Sequence, residues 1–232
     1  MKKSIKIILA ISIMILISVI ILFIIYFLKI NITNETDNNE KIIYQIKYFE
    51  SELTEEINRI LLENSNTNLI EKDITQINEA WNNLILDLIL NPKIEKQNIN
   101  NIREELNKII ISANNSNKEE LEENLINLYG KLIKIYEQIE YNEKYKNTML
   151  IKYNLMNSFK LIKNGKWIEA GEYVKNASNA ITQIFNSEES ENIYNVNLAY
   201  ISVKELENII DMQDYDIFYI KFKIAMDNLN KI

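Results

Sequence analysis

The sequence contains no cysteine and no histidine, and only three glycines and one proline among its 232 residues. Without cysteine there can be no disulfide bond, no thiolate metal site, no catalytic thiol and no cysteine to accept a lipid. Without histidine the commonest general base, every Ser-His pair and the histidine-based zinc and di-iron motifs are excluded. Three scattered glycines exclude glycine-rich nucleotide loops. We therefore expect a protein that is not an enzyme and that binds no cofactor or metal.

The scarcity of glycine and proline also bears on the fold, because β-rich folds need many tight turns. Hydrophobic residues make up 47% of the chain and charged residues 25%, which is enough apolar material for a buried core. We predict an all-α protein.

A long apolar run lies near the N-terminus, in "MKKSIKIILAISIMILISVIILFIIYFLKIN". Residues 7–28 carry no charge, and at 1.5 Å per residue they are long enough to cross a hydrocarbon core of about 30 Å. Three lysines precede the run and only Lys29 follows it, so the positive-inside rule places the N-terminus in the cytoplasm. The sequence therefore predicts an uncleaved transmembrane anchor, with a cleaved signal peptide or a buried soluble helix as alternatives.

The anchor divides the chain into four parts. Residues 1–6 form a short cytoplasmic tail, residues 7–28 the anchor, residues 29–37 a polar linker and residues 38–232 an extracytoplasmic helical domain. Removing the four lysines of the first 29 residues from the formal charge of -7 leaves -11 for the remainder. This acidic balance argues against nucleic acid as a partner.

Apolar residues in the outer part recur at alternating steps of three and four, which places them on one stripe of a helix. Five such stripes are present: Ile70, Ile74, Ile77, Trp81, Leu84 and Leu88; Ile99, Ile102, Leu106, Ile109 and Ala113; Leu121, Leu125, Leu128, Leu132, Ile135 and Ile139; Trp167, Ala170, Val174, Ala177, Ile181 and Ile184; Val196, Ala199, Val203, Leu206 and Ile210. Narrow stripes on every segment predict helices packed at shallow angles.

Polar, asparagine-rich clusters interrupt the stripes and can cap the helix that follows. The predicted helices are 38–63, 68–90, 98–113, 117–140, 146–163, 166–185, 193–211 and 214–231. The stretch "EYNEKYKNT" at 140–148 has no strong breaker, so a single rod from the fourth through the fifth helix is an alternative. Tight breaks near 68, 117, 165 and 213 recur about every 48 residues, which indicates about four antiparallel hairpins in a bundle or in a repeat array.

One hairpin carries the stretch "NGKWIEAGEYVKNA" at 164–177. It resembles the second half of a tetratricopeptide repeat through Trp167, Ala170, Tyr173 and Ala177. The spacing of the breaks is not the 34 residues of that family, and a solenoid needs about three copies to bury its faces. We therefore interpret the two alanines as a close helix contact and do not transfer peptide binding.

A broader similarity rests on "WNNL" at 81–84 and "NLINLYGKL" at 124–132. These motifs resemble membrane- or lipid-anchored extracytoplasmic helical proteins of unassigned function from AT-rich spore-forming bacteria. The resemblance implies a location and a fold, and no activity.

Acids and tyrosines are the remaining candidates for chemistry. Four acids, Glu119, Glu120, Glu122 and Glu123, open a predicted helix and complement its dipole, which favours a structural role over a cation site. The pairs Glu55–Glu56 and Glu104–Glu105 are interpreted as exposed faces. Tyrosines lie on or beside the stripes as core or rim residues: Tyr129, Tyr136, Tyr141, Tyr145 and Tyr153.

Two function classes follow. The first is a protein-interaction or structural module at the cell envelope, tethered through residues 7–28 to the membrane and contacting another envelope protein. The second is a ligand-sensing or substrate-binding domain with a pocket between helices, lined by Trp81, Trp167 and tyrosines. A cavity with converging polar groups favours the second class, and an exposed apolar stripe the first.

Overall fold

The structure is a computed structural model that describes residues 39–62, 67–139, 142–187 and 193–232, the side chains of 67–73 excepted. All regular secondary structure in these ranges is helical, which confirms the all-α prediction. The elements are α1 over 39–62, α2 (Thr67–Leu90), α3 (Lys96–Asn114), α4 (Lys118–Ile139), α5 (Glu143–Lys163), α6 (Trp167–Ser187), α7 (Ile193–Ile209), a 3-10 turn (Ile210–Met212) and α8 (Tyr215–Leu229).

The helix breaks come from local backbone chemistry. Asn142 is extended, with φ -96° and ψ 94°, and its side chain accepts a hydrogen bond from the Tyr145 amide. This cap starts a new helix, so the alternative of one rod through α4 and α5 is wrong. α5 ends at Lys163 and is followed by Gly165, whose φ of 73° suits a glycine, and the Lys166 amide donates back to the Leu161 carbonyl at 3.0 Å.

Successive helices run antiparallel to each other. Along α7 and α8, Asn228 donates to the Leu198 carbonyl at 3.5 Å, and Lys221 pairs with Glu205 at 2.8 Å. In the same way, Lys160 near the C-terminal end of α5 pairs at 2.9 Å with Glu123 near the N-terminal end of α4. Short connections make such neighbours the expected arrangement.

The helices close into a bundle. α8 returns to α5, where the rings of Phe159 and Phe222 stack with centroids 4.5 Å apart. In the first half, α1 contacts α2 through the rings of Phe49 and Trp81, and α1 contacts α4 through Glu50 and Tyr129. These return contacts join helices distant in sequence, whereas the repeats of an array contact only their neighbours. The observed form is therefore the predicted bundle.

The predicted stripes form the core. Of their residues whose side chains are described, all are buried except Ala113 and Trp167, which are half-buried. Glu56 and Glu105, predicted to lie on exposed faces, are instead buried, and Glu122 is buried as well. Each carboxylate is neutralised by a neighbouring cation, Arg59 for Glu56, Lys131 for Glu105 and Lys163 for Glu122. That pairing is what allows a carboxylate to leave water.

Within the described ranges, no helix has both the length and the apolar character needed to cross a membrane. The predicted anchor at 7–28 and the linker at 29–37 lie outside those ranges.

Candidate functional site

A cleft of about 720 Å³ lies between α1, α5 and α8. α5 contributes the polar residues of one wall, and α1 and α8 line the cleft over most of their lengths. Its charged and aromatic lining residues are Lys47, Glu50, Glu55, Arg59, Tyr145, Lys152, Tyr219, Lys223 and Asp227.

The cleft is elongated. Its lining on α1 runs from Lys47 to Leu62, which at 1.5 Å per residue corresponds to about 22 Å. Its lining on α8 and the residues after it runs from Tyr219 to Ile232. The Tyr219 hydroxyl donates to the Leu62 carbonyl at 3.4 Å and so joins the two walls at one end.

Where α1 meets α5, the cleft is lined by a buried carboxylate, that of Glu50 on α1. Its Oε1 accepts hydrogen bonds from the Tyr129 hydroxyl at 2.5 Å, from Thr54 Oγ1 at 3.0 Å and from Lys152 Nζ at 3.1 Å. Its Oε2 has a long contact of 3.5 Å with the Tyr145 hydroxyl. One carboxylate therefore ties α1 to both α4 and α5.

Burial and the charge of Glu50 raise the pKa values of Tyr129 and Tyr145. Burial is the larger cause in both cases, because the phenolate form would lose its hydration. Both tyrosines therefore stay protonated near neutral pH and serve as hydrogen-bond donors to Glu50. They are not placed to act as bases.

Lys152 is the buried cation of the cleft, with 7% of its side chain exposed. Within the described part of the chain, its ammonium donates to a single acceptor, Glu50. Lys47 is exposed and lies on the same side of the cleft, its Nζ 4.9 Å from the centroid of the Tyr145 ring. Two lysines thus flank the Tyr145 ring and the Glu50 carboxylate.

Farther along α1, Arg59 is committed to Glu56, with N–O distances of 2.7 to 3.0 Å. The neighbouring Asn58 has a buried carbonyl oxygen, Oδ1, that no group in the described ranges satisfies. Glu55 and Asp227 are exposed members of the lining. The cleft thus offers hydrogen-bond donors and acceptors along its length, with charges of both signs.

No family model, no curated protein and no solved structure matches this chain.

A second cavity, of about 530 Å³, lies between α3, α4 and α5. It is bordered by Gly130 and Tyr153, whose close packing leaves no room for a side chain at position 130: a Cβ there would lie 2.9 Å from the tyrosine ring. Three lysines and two acids complete its polar lining: Lys108, Lys131, Lys134, Glu105 and Glu137. Because it is smaller than the cleft, we regard the cleft as the candidate site.

The tryptophans expected to line a pocket do not line the cleft. Trp81 is buried against Phe49, and Trp167 meets the edge of Phe218 with ring centroids 6.1 Å apart. Both pack helices together.

The five tyrosines expected at the core or rim fall in different places. Tyr145 lines the cleft, Tyr129 lies beneath it, and Tyr136 is buried with its ring 4.9 Å from that of Tyr145. Tyr153 borders the second cavity, and Tyr141 lies outside the described residues.

The four acids at the start of α4 do not gather into a site. Glu119 and Glu120 are exposed, Glu123 pairs with Lys160, and Glu122 turns inward to Lys163. Within the described ranges, no group of three or more acids could hold a metal ion.

The sequence did not single out Glu50 and Lys152. A signal exists for both, since Glu50 lies among the buried residues Ile46, Phe49 and Leu53 of α1. Lys152 likewise follows Met149 by three residues and precedes Met156 by four, which places it on a buried stripe of α5. A charge within an apolar stripe is a reason to look for a partner.

Proposed function

We propose that this protein is a single-pass, membrane-anchored interaction module of the cell envelope. Residues 7–28 anchor it, the N-terminus lies in the cytoplasm, and the helical domain is extracytoplasmic, joined by the linker at 29–37. The uncharged run and the lysines before it support this placement. The domain's role is to hold a segment of a partner protein in the cleft between α1, α5 and α8.

The observation that carries the proposal is the length of the cleft. A lining that extends for about 22 Å along α1 matches four turns of a helix or about six or seven residues of extended chain. Peptide segments bind in grooves of this form between helices. A compact small-molecule pocket would draw its lining from fewer turns of each helix.

The lining chemistry suits reversible recognition. Lys47, Glu55 and Lys223 are exposed, so their charges contribute to partner choice more than to stability. The buried Glu50 network keeps the α1–α5 wall of the cleft in place before a partner arrives. A pre-formed wall lowers the ordering cost of binding.

A small polar ligand is the second candidate, because the buried ammonium of Lys152 makes only one hydrogen bond within the described ranges. A molecule filling one end of the cleft could accept the remaining hydrogen bonds.

Site-specific photo-cross-linking of the full chain in intact cells tests the partner proposal. A photoreactive residue replaces Ser51 or Lys223, both exposed and both in the cleft lining, and replaces Lys175 on α6 as a control. We expect the same protein to be captured from both cleft positions and not from the control. Capture that is equal at all three positions, or absent at all three, would contradict the proposal.

The anchor is tested separately by fractionation. The full chain should stay in the membrane pellet at alkaline pH and in high salt, and protease added outside spheroplasts should digest the helical domain. Release of the chain by alkali, or protection of the domain from external protease, would overturn this part of the proposal.

A further inference from the structure

Lys152 can donate more hydrogen bonds than it makes within the described part of the cleft. An ammonium group has three N–H donors, and within the described ranges that of Lys152 uses one, toward Glu50. Buried polar groups normally find partners, and a buried cation gains most from a charged acceptor. Because Lys152 lines the cleft, an occupant of the cleft can supply that acceptor.

The charges around Lys152 decide the sign of the occupant's group. Glu50 neutralises Lys152, and three donors already converge on Oε1 of its carboxylate. Lys47 adds one further positive charge beside the Tyr145 ring. The acid Glu55 is eight residues beyond Lys47, which is about 12 Å along the helix axis, and so it does not cancel that charge. Lys47, Glu50 and Lys152 together therefore carry one net positive charge.

From this arrangement we infer that the cleft recognises a carboxylate, carried by an aspartate or glutamate side chain of the partner segment and held between Lys47 and Lys152. The inference rests on the proposed function, whose partner segment it specifies. A monoanion matches the single net charge. A phosphate dianion would exceed that charge, and the guanidinium of Arg59 is already bound to Glu56.

The probe for this inference is succinamate, which carries a single carboxylate, with succinamide as a neutral molecule of the same length. The lysines of the full chain, in detergent, are labelled biosynthetically with ¹³C, which leaves all three N–H donors of each ammonium in place. The Lys47 signal is assigned by its loss in Lys47→Met. At constant ionic strength, succinamate should shift that signal saturably and succinamide should not.

Two variants complete the test, with binding followed as stabilisation against heat by succinamate at constant ionic strength. Lys47→Met should weaken succinamate binding about fivefold, as expected for one exposed charge. Lys47 is exposed, so its replacement does not endanger folding. Lys96→Met, at an exposed lysine on α3 away from the cleft, should leave the affinity unchanged. Equal binding of succinamide, or equal affinity in Lys47→Met and the unmodified chain, would overturn the inference.

The two proposals can fail independently. If cross-linking from Ser51 captures a partner and Lys47→Met captures it equally well, the interaction module stands and the carboxylate site is wrong. If succinamate binds as expected and the cleft positions capture no protein, the carboxylate site stands and the partner is wrong.

Discussion

The Glu50–Lys152 pair should be the most sensitive point of the fold. Only 6% of the Glu50 side chain and 7% of the Lys152 side chain are exposed, and their charged atoms are 3.1 Å apart. Lys152→Met removes the cation and leaves the carboxylate buried with only neutral donors, from Tyr129, Thr54 and Tyr145. Breaking a buried pair on one side costs about 3–5 kcal/mol. For a domain of this size that lowers the melting temperature by about 10 °C.

The double variant Glu50→Gln, Lys152→Met should be much more stable than Lys152→Met alone. It contains no buried charge at this point, and the carbonyl of the new amide can still accept from Tyr129 and Thr54. Replacing both partners of a buried ion pair by neutral groups is often close to neutral in stability. We expect at least half of the loss to be recovered, which is a coupling energy of about 2 kcal/mol.

Urea unfolding of the four proteins of this cycle, followed by circular dichroism of the full chain in detergent, measures the coupling. Lys166→Met is the matched control, since its pair with Glu169 is 3.8 Å long and more than half exposed on both sides. That variant should stay within about 0.5 kcal/mol of the unmodified chain. If Lys152→Met costs no more than the control, or if the two single losses simply add, the assignment of Glu50 and Lys152 as a buried ion pair is refuted.

Three further outcomes are expected. Because burial and Glu50 raise the pKa of Tyr129, the folded state keeps a proton that the unfolded chain releases above about pH 10. The free energy of unfolding should therefore fall above that pH, and Tyr129 should contribute about 1.4 kcal/mol per pH unit to the fall. In urea titrations between pH 9 and 11, Tyr129→Phe should make this dependence on pH less steep. Ser116 lies in the turn after α3 with φ 53°, so Ser116→Gly should raise the free energy of unfolding by about 1 kcal/mol, and a melting temperature that falls would contradict the turn geometry. Ala177→Glu forces a charge into the buried stripe of α6 and should lower the free energy of unfolding by more than about 3 kcal/mol. The control Glu119→Ala, at an exposed position in the first turn of α4, should change it by less than about 0.5 kcal/mol. Equal melting points of the two variants would mean that the buried face of α6 is misassigned.

The helices could be predicted from the sequence because their signals are local. An apolar stripe such as Leu121 to Ile139 repeats with the helical period, and asparagine-rich breaks supply the caps between stripes. α5 starts three residues before its predicted position, since nothing in the apolar pattern shows that Asn142 caps the helix. Local chemistry thus fixes which residues are helical, to within a few positions.

The return contacts could not be predicted in this way. Nothing in the period of a stripe says that α8 packs on α5 or that α1 reaches α4, because those contacts depend on how all stripes are covered at once. The same reason explains the misassigned acids. The burial of Glu122 could not be predicted, because its cation, Lys163, is 41 residues away on another helix. Glu56 is different, since Arg59 lies three residues further on and the pairing was visible as an i, i+3 spacing.

One wall of the cleft depends on the contact between Glu50 and Lys152, so a variant of either residue can lose binding for two different reasons. Glu50 and Lys152 are 102 residues apart in sequence, yet together they set the α1–α5 wall against which a partner segment would lie. Any substitution of either residue therefore changes stability and cleft shape together, and a loss of binding in such a variant would not identify a contact. Lys47 separates the two effects, because it is exposed, contacts the ring of Tyr145 and has no part in the buried hydrogen bonds of Glu50. A binding defect in Lys47→Met at unchanged melting temperature would therefore report on recognition itself.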